Sequence, residues 1–247
     1  MYAEPGVKLL LVLWSAGEKS RSERRTILLT NGMPALLKAG AEQLSVLIAD
    51  EHAAVRSPSP FPLFGRKPVA MVSLWGSVSE AVAVTILAEL GFTVASYHVD
   101  ESVYRDYGDN DHATPRDWPD GQRSPGITAV TFMERPARLS ETEWLRRWHE
   151  RMSPVSESIL PRTRYVRNHI RQASAGAPPL AGIVEEAFPS PRHITQPMLF
   201  YGASGPLSLV INVLRILAAV THFLTLWRIQ TVVMSEYFIH TASSEPQ

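Results

Sequence analysis

Short, nearly continuous apolar runs occupy residues 7–14, 44–49, 69–75 and 92–99 of this chain, bounded by Gly, Pro and polar clusters. Their length and their β-branched and aromatic content predict buried strands. Between the first two, residues 22–39 carry Ile27, Leu28, Leu36 and Leu37 at helical spacing, with Ser22 as N-cap and Gly40 as the stop. Gly32 and Pro34 predict a kink or break in that helix. Residues 78–90 predict a second helix, ended by Gly91. The order is βαββαβ. Residues 55–67, rich in Pro and Ser, predict a loop.

Residues 104–126 hold Asp106, Gly108, Asp109, Pro115, Pro119, Gly121 and Pro125 with few aliphatics, which marks a long connection. The pattern then restarts. A strand at 127–133 precedes a helix opened by Ser140, with Glu143 three residues on as in a capping box, and a stripe of Trp144, Leu145, Trp148 and Met152. Strands at 164–170 and 180–188, a helical region strongest at 209–224, and a strand at 229–240 complete it. Pro34 and Pro154 fall at equivalent places in the two copies. The predicted organisation is an N-terminal ferredoxin-like unit at 1–104, a linker at 105–126 and a C-terminal unit at 127–247. A βαββαβ unit places both helices on one face of an antiparallel sheet, so two units bury their remaining faces against each other. The predicted fold class is α+β: two ferredoxin-like βαββαβ units forming an intramolecular α+β barrel.

Composition narrows the function classes. The chain has 247 residues, 45% hydrophobic and 19% charged, enough for a sizeable core. Lys plus Arg and Asp plus Glu are 24 each, so overall charge predicts neither nucleic acid nor an anionic membrane as partner. The basic clusters at 21–25 and 146–151 are interrupted by acids and read as solvated helix faces. The chain has no cysteine, which excludes disulfides, zinc-thiolate sites and a Cys nucleophile and fits a cytoplasmic protein. Glu4 and Pro5 before the first apolar run give no signal-peptide pattern. The apolar stretch 207–226 is interrupted by Asn212, Arg215 and His222 and followed by Arg228, so it predicts a buried amphipathic helix and no membrane span. Phosphate-loop, dinucleotide-binding and nucleophile-elbow motifs are absent.

Four segments carry a family resemblance: Trp144 through Pro154 (WLRRWHERMSP), Tyr165 through Asn168 (YVRN), Gly182 through Glu185 (GIVE) and Trp227 through Tyr237 (WRIQTVVMSEY). Together they resemble the EthD-like family of the dimeric α+β barrel superfamily, which is built from ferredoxin-like units. The N-terminal half resembles it more weakly, through 69–75 and 97–102. The resemblance implies bacterial breakdown of ethers and aromatics or fungal pigment pathways. Related barrels include cofactor-free monooxygenases, cyclases, isomerases and haem enzymes. One departure stands out. Where the family places a His before the Ser/Ala-Pro at the helix end, this chain has Met152, and Met33 stands at the corresponding N-terminal position. A helix-borne His is the obvious general base in such a fold. His149 lies about one turn earlier and points to a neighbouring sector.

Tyr165, Arg167 and His169 alternate along one strand and share one face. Toward a cavity, they would bind and polarise an oxyanion or enolate. Toward solvent, they are ordinary strand polars, Val166 and Ile170 face inward, and Asn168 becomes a buried group needing a partner. Glu185 and Glu186 face opposite ways, one of them toward the packed face, as a base of raised pKa or as a structural ion pair with an Arg. Glu101 and Glu236 sit at equivalent strand ends and suggest a shared structural role, with Tyr237 capping the pocket. His222 has no second ligand at metal-binding spacing. The expected function is a small cofactor-free, metal-free enzyme acting by proton transfer on a hydrophobic oxygenated small molecule in a barrel cavity. Its catalytic candidates are His149, Tyr165, Arg167 and Glu185, and its ligand-binding candidates are Trp148, Met152, Asn168 and Tyr237. The alternative is a non-catalytic small-molecule-binding barrel. A homodimer is compatible with either.

Overall fold

Each predicted apolar run forms a strand in the computed structural model, which describes residues 8–15, 17–58 and 67–241. The strands are β1 (Lys8–Ser15), β2 (Ala41–Ile48), β3 (Ala70–Gly76), β4 (Phe92–Arg105), β5 (Ile127–Met133), β6 (Arg164–Ala173), β7 (Gly182–Phe188) and β8 (Ile229–His240). They are hydrogen-bonded in the order β1-β3-β2-β8-β5-β7-β6-β4, and β4 pairs back to β1. Every neighbouring pair is antiparallel.

Two ferredoxin-like units with their own packed sheets do not describe this architecture, and the predicted fold class is corrected accordingly. β2 pairs with β8 from Leu44↔His240 to Ile48↔Ser235, and β4 pairs with β6 from Tyr97↔Ala173 to Arg105↔Tyr165. These two ladders merge all eight strands into one closed antiparallel barrel with the helices outside. The physical reason is the edge: an open sheet leaves rows of unpaired backbone groups, and closure satisfies them all. β4 runs past the predicted 92–99 because its second half, Val99 to Arg105, pairs with β6.

Strand alternation divides the core in two. Leu10, Val12, Leu47, Met71, Tyr97, Phe132, Ile183 and Met234 pack together inside the barrel. Leu9, Leu11 and Leu13, of opposite parity on β1, pack under the N-terminal helices. An eight-stranded barrel is just wide enough for side chains to fill, and here they fill it.

At one end the inward positions become charged. Lys8 Nζ lies 2.7 Å from Glu101 and 3.0 Å from Glu185. Asn168 Nδ2 donates to the same Glu185 oxygen at 2.9 Å. Arg164 lies 3.3 Å from Glu236 and 3.6 Å from Glu185. Burial pushes the Glu185 carboxyl pKa up, but Lys8, Arg164 and the hydrogen bonds from Lys8 and Asn168 outweigh it and hold it below its ordinary value.

The outer layer comprises α1 (Arg21–Ile27), α2 (Met33–Lys38), α3 (Glu80–Glu89), α4 (Glu141–Arg146), α5 (Ser153–Glu157), α6 (Arg192–Thr195), α7 (Pro197–Phe200) and α8 (Pro206–Phe223). The first N-cap is Ser20, not Ser22: Ser20 Oγ accepts from Glu23 N, and Glu23 returns a bond to Ser20 N at 2.7 Å. The break predicted near Gly32 and Pro34 is a π-helical turn, Leu28–Gly32, joining α1 to α2. A second one, Arg147–Met152, joins α4 to α5 ahead of Pro154. A proline lacks the N–H and crowds the carbonyl four residues back, and the wider turn relieves both. α8 corrects another expectation. It is fully buried only at Ala219 and Phe223, and half of its residues are exposed, including Leu207, Val210, Ile211 and Leu214. By length and composition alone α8 is long and apolar enough to cross a membrane.

Lys8→Met is expected to destabilise the fold by about 3–5 kcal/mol, because it leaves Glu185 buried with a weaker counter-charge. The sign of the pH dependence follows from the lowered Glu185 value. Its stabilising contribution is full above the ordinary carboxylate value of 4.5 and is lost as pH falls through the lower folded value. Urea denaturation of both proteins between neutral and acid pH checks this; a loss below about 1 kcal/mol would show that Arg164 alone compensates Glu185.

Candidate functional site

A cavity of about 370 Å³ lies outside the barrel wall, between the outer faces of β5–β8 and the C-terminal helices. Its floor is made by Ala129, Thr131 and Met133 of β5, Tyr165 of β6, Val184 and Glu186 of β7, and Ile229 and Thr231 of β8. Its cover is Trp148 and Met152 from the π-helical turn, Phe200 and Tyr201, and the inner stripe of α8 formed by Val213, Ile216, Leu217, Val220 and Phe223. That stripe follows the three-and-four spacing of an amphipathic helix. The volume is within the range of small-molecule sites. Five aromatic rings line it, which suits a flat ligand.

Local packing sets the shape of this chamber. Trp144 and Trp148 lie with ring centroids 5.0 Å apart. A Cβ on Gly182 would stand 2.9 Å from Trp148 and 3.0 Å from Trp144, so only glycine lets the pair lie this close to β7. The π-helical turn brings both the backbone N–H and the Oγ of Ser153 onto the Trp148 carbonyl.

Tyr165 is the hub of the polar groups behind the wall. Its hydroxyl accepts from Trp148 Nε1 at 3.3 Å and lies 3.2 Å from Ser153 Oγ. Ser153 Oγ donates to the Trp148 carbonyl and accepts from Arg167 Nη1 at 3.1 Å. The tyrosine proton is therefore directed to Ser153. Burial raises the phenol pKa, more than the nearby Arg162 lowers it, so Tyr165 is neutral. Arg162 stacks over its ring with the guanidinium carbon 3.9 Å from the centroid. The same Arg162 holds Glu186 at 2.8 Å through one carboxylate oxygen, and Glu157 at 2.7 Å. Thr131 and Thr231, opposite each other on β5 and β8, share a hydroxyl bond of 2.9 Å.

The predicted site residues do not converge. Trp148, Met152 and Tyr165 line the cavity. Arg167 is turned aside, bonded to Ser153 and to Ser102 Oγ at 2.8 Å and lying over the Tyr104 ring. His169 pairs with Glu141 at 3.0 Å. One shared polar wall of Tyr165, Arg167 and His169 is thus corrected: all three face outward under the helices, but each meets different partners. Asn168 and Glu185 are on the opposite face, inside the barrel. Tyr237 is corrected from pocket cap to structural anchor, since its hydroxyl donates to buried Asp50 at 2.7 Å, farther along the outer face of β8 in the core under the N-terminal helices. Asp50 also accepts from Ser235 at 2.7 Å and caps the short turn Glu51–Ala53.

His149 is half-buried beside Trp148, and its Nε2 has no partner among the described residues. Burial, with Arg167 and His169 nearby, lowers its pKa to about 4. Such an imidazole is neutral at pH 7 and a poor proton acceptor. Sequence reasoning weighed Glu186, the outward neighbour of Glu185, but chose Glu185 as the site residue, and it passed over Ser153 and the α8 stripe. The signals were strand parity, which sets Glu186 opposite Tyr165 across β6 and β7, and the spacing 213, 216, 220, 223.

A smaller hollow of about 240 Å³ lies at the charged end of the barrel, lined by Lys8, Glu101, Asp106, Arg164 and Glu185 among others. Its charged groups are already engaged in the ion pairs above, and Arg164 also holds Asp106 at 3.0 Å. The expected ligand chamber inside the barrel is therefore replaced by the apolar one outside it.

The fold has solved relatives. An anthrone oxidase-like protein matches over 98% of this chain and 96% of its own, with a TM-score of 0.54 and 9% identity. A monooxygenase candidate from Lactobacillus acidophilus NCFM matches over 96% and 98%, at 0.45 and 8%. A chlorite dismutase variant from Candidatus Nitrospira defluvii matches over 96% and 93%, at 0.47 and 8%. The first of these shares the overall fold of this chain. At such identity the likeness concerns the fold alone. No family model and no curated protein matches the chain. Among the described residues no histidine lines the cavity. Among the described residues no three His, Asp or Glu side chains converge on a metal position.

The His149 assignment is checked by an NMR titration, which is expected to show a midpoint near 4. A midpoint at the ordinary 6.5 would show the ring in open solvent.

Proposed function

We propose that this protein binds a flat, hydrophobic, oxygenated aromatic molecule in the cavity under α8. The observation that carries the reading is the chemistry of the lining: aromatic and aliphatic side chains with Glu186, Thr131 and Thr231 as isolated polar groups. The segments that resemble EthD-like proteins supply Trp148, Met152, Tyr165 and Val184 to this wall. Binding is favoured over turnover because the predicted acid–base residues are committed elsewhere. Tyr165 is hydrogen-bonded to Trp148 and Ser153, Arg167 to Ser153 and Ser102, and Glu185 is inside the barrel.

Proton transfer is the second reading, and Glu186 favours it. It is the carboxylate at the cavity wall, and Arg162 engages one of its two oxygens. The other oxygen is placed to take a proton from a carbon next to a ligand carbonyl. The phenol of Tyr165 would then serve as wall rather than as acid.

The test uses anthrone, a fused-ring ketone, followed by tryptophan fluorescence, since Trp148 is in the wall. Saturable quenching is expected, and Val184→Phe, which fills the floor, is expected to weaken it at least ~10-fold, equivalent to about 1.4 kcal/mol. Binding untouched by Val184→Phe would remove the cavity from the account. In deuterated buffer, exchange at the anthrone methylene faster than in buffer alone, lost in Glu186→Gln while binding persists, would establish the second reading.

A further inference from the structure

The outer side of α8 is the most apolar exposed surface among the described residues. Leu207 is 74% exposed, Val210 55%, Ile211 47%, Leu214 59% and Leu217 42%, and Trp227 just beyond the helix is 68% exposed. Scattered exposed leucines need no explanation, but a contiguous stripe along one helix does. The stripe comes with charge of one sign. From Ala187 to Ser235 the chain has no Asp or Glu, and its only formally charged side chains are Arg192, Arg215 and Arg228. Arg215 on α8 meets Ser158 Oγ and forms no ion pair among the described residues. Arg151 reaches the ring of His222 at 3.3 Å, and Arg138 donates to the carbonyls of Thr221 and Leu224 at the end of the helix. Neither has a carboxylate partner among the described residues. An apolar stripe, a basic flank and a tryptophan at the margin are the pattern of a helix lying in the plane of a lipid interface.

We infer that α8 docks this protein onto an anionic lipid surface, lying along it with Leu207, Ile211 and Leu214 in the acyl boundary and Arg215, Arg151 and Arg138 among the headgroups. The charge supports lipid over a second copy of the chain, since two such faces would bring Arg215, Arg151 and Arg138 of each copy together, none of which has a carboxylate partner among the described residues. The helix lies on the surface rather than crossing it. Its inner stripe is occupied by the barrel, with Ala219 and Phe223 buried, and Arg215 and His222 fall within its length. Leu217 both lines the cavity and is exposed, so the chamber's edge meets the docking stripe. A hydrophobic ligand dissolved in the lipid would pass to the cavity there without crossing water. The docking inference stands without any assumption about the cavity's occupant.

Flotation of the full chain with vesicles tests it, using phosphatidylcholine alone and phosphatidylcholine containing phosphatidylglycerol. The chain is expected to float with the anionic vesicles, less so at high salt. Leu214→Asp is expected to reduce partitioning at least ~10-fold, and Arg215→Glu about 5-fold or more. Both sites are exposed, so circular dichroism and thermal melting should match the parent; if Leu214→Asp melts early, Leu214→Ser provides the same comparison. Absence of partitioning into either vesicle, or partitioning that none of these variants changes, would overturn the inference. So would a dimer in sedimentation equilibrium that Leu214→Asp converts to monomer while vesicles bind neither form. Val184→Phe should leave flotation intact while losing anthrone, which separates failure of docking from failure of the cavity reading.

Discussion

The contact between Lys8 and Glu185, across the barrel from the first strand to the seventh, decides where chemistry is possible in this molecule. It closes the charged end of an interior whose remaining volume is taken by apolar side chains. Both partners are nearly fully buried, so each needs the other and the bonds from Asn168, Glu101 and Arg164. A buried ion pair contributes little to net stability compared with apolar packing, yet it cannot be broken one-sidedly without a large loss. It therefore fixes register: Lys8 and Glu185 meet only when both residues point inward, and a shift by one residue would turn either out of the barrel. With the inside filled and locked, any ligand of appreciable size is accommodated on the outer face of the wall.

That outer face is not uniform. Under α1 to α3, the first half of the chain packs Leu9, Leu11, Leu13, Leu28, Met33 and Leu87 into a continuous core. Under the C-terminal helices, the broad rings of Trp144 and Trp148 rest on Gly182 and hold the helical layer at a distance from β7. Large rigid side chains that meet in this way leave gaps that aliphatic neighbours do not fill. Thus the tryptophans give the C-terminal half both its tight seam beside Gly182 and the open space beyond it, where Val184 and Thr131 face α8.

How much of this was legible in the sequence differs by level. All eight strands were, because alternating and continuous apolar runs between Gly and Pro report strands directly. A barrel was expected, but from two separate units; the β2–β8 and β4–β6 ladders that merge them were not legible, because they join residues nearly 200 and about 70 positions apart, beyond the reach of local periodicity. The π-helical turns were visible only as weak helix at Gly32 and Pro34. For the site, parity placed Tyr165, Arg167 and His169 together correctly on one face, but parity says nothing of lateral neighbours. Ser153 captured Arg167, and Glu141 captured His169. The choice of Glu185 over Glu186 turned on which face of β7 the helices cover, which no spacing within β7 encodes. The exposure of α8 was hidden for a related reason. Its hydropathy is that of a core helix, and only the tertiary arrangement shows that nothing described lies over its outer side.

Met152 draws these threads together. It stands in the cavity wall at the end of the π-helical turn, where the resembled family places a histidine. A histidine there would face the chamber and, with a ligand oxygen opposite, would titrate in the useful range. A thioether cannot move a proton; it is soft, flexible and adapts to an aromatic neighbour. The imidazole on the same turn, His149, is not in the cavity wall, and burial, with Arg167 and His169 nearby, lowers its pKa to about 4. With Tyr165 tied to Ser153 and Arg167 tied in turn, the wall presents shape and polarizability rather than acid and base. Only Glu186 retains an unengaged oxygen among the described polar groups with this placement, and its hold on Arg162 also anchors the ring of Tyr165. On the proposed reading the chamber holds a hydrophobic molecule, and the separation between holding and converting it rests on a single carboxylate.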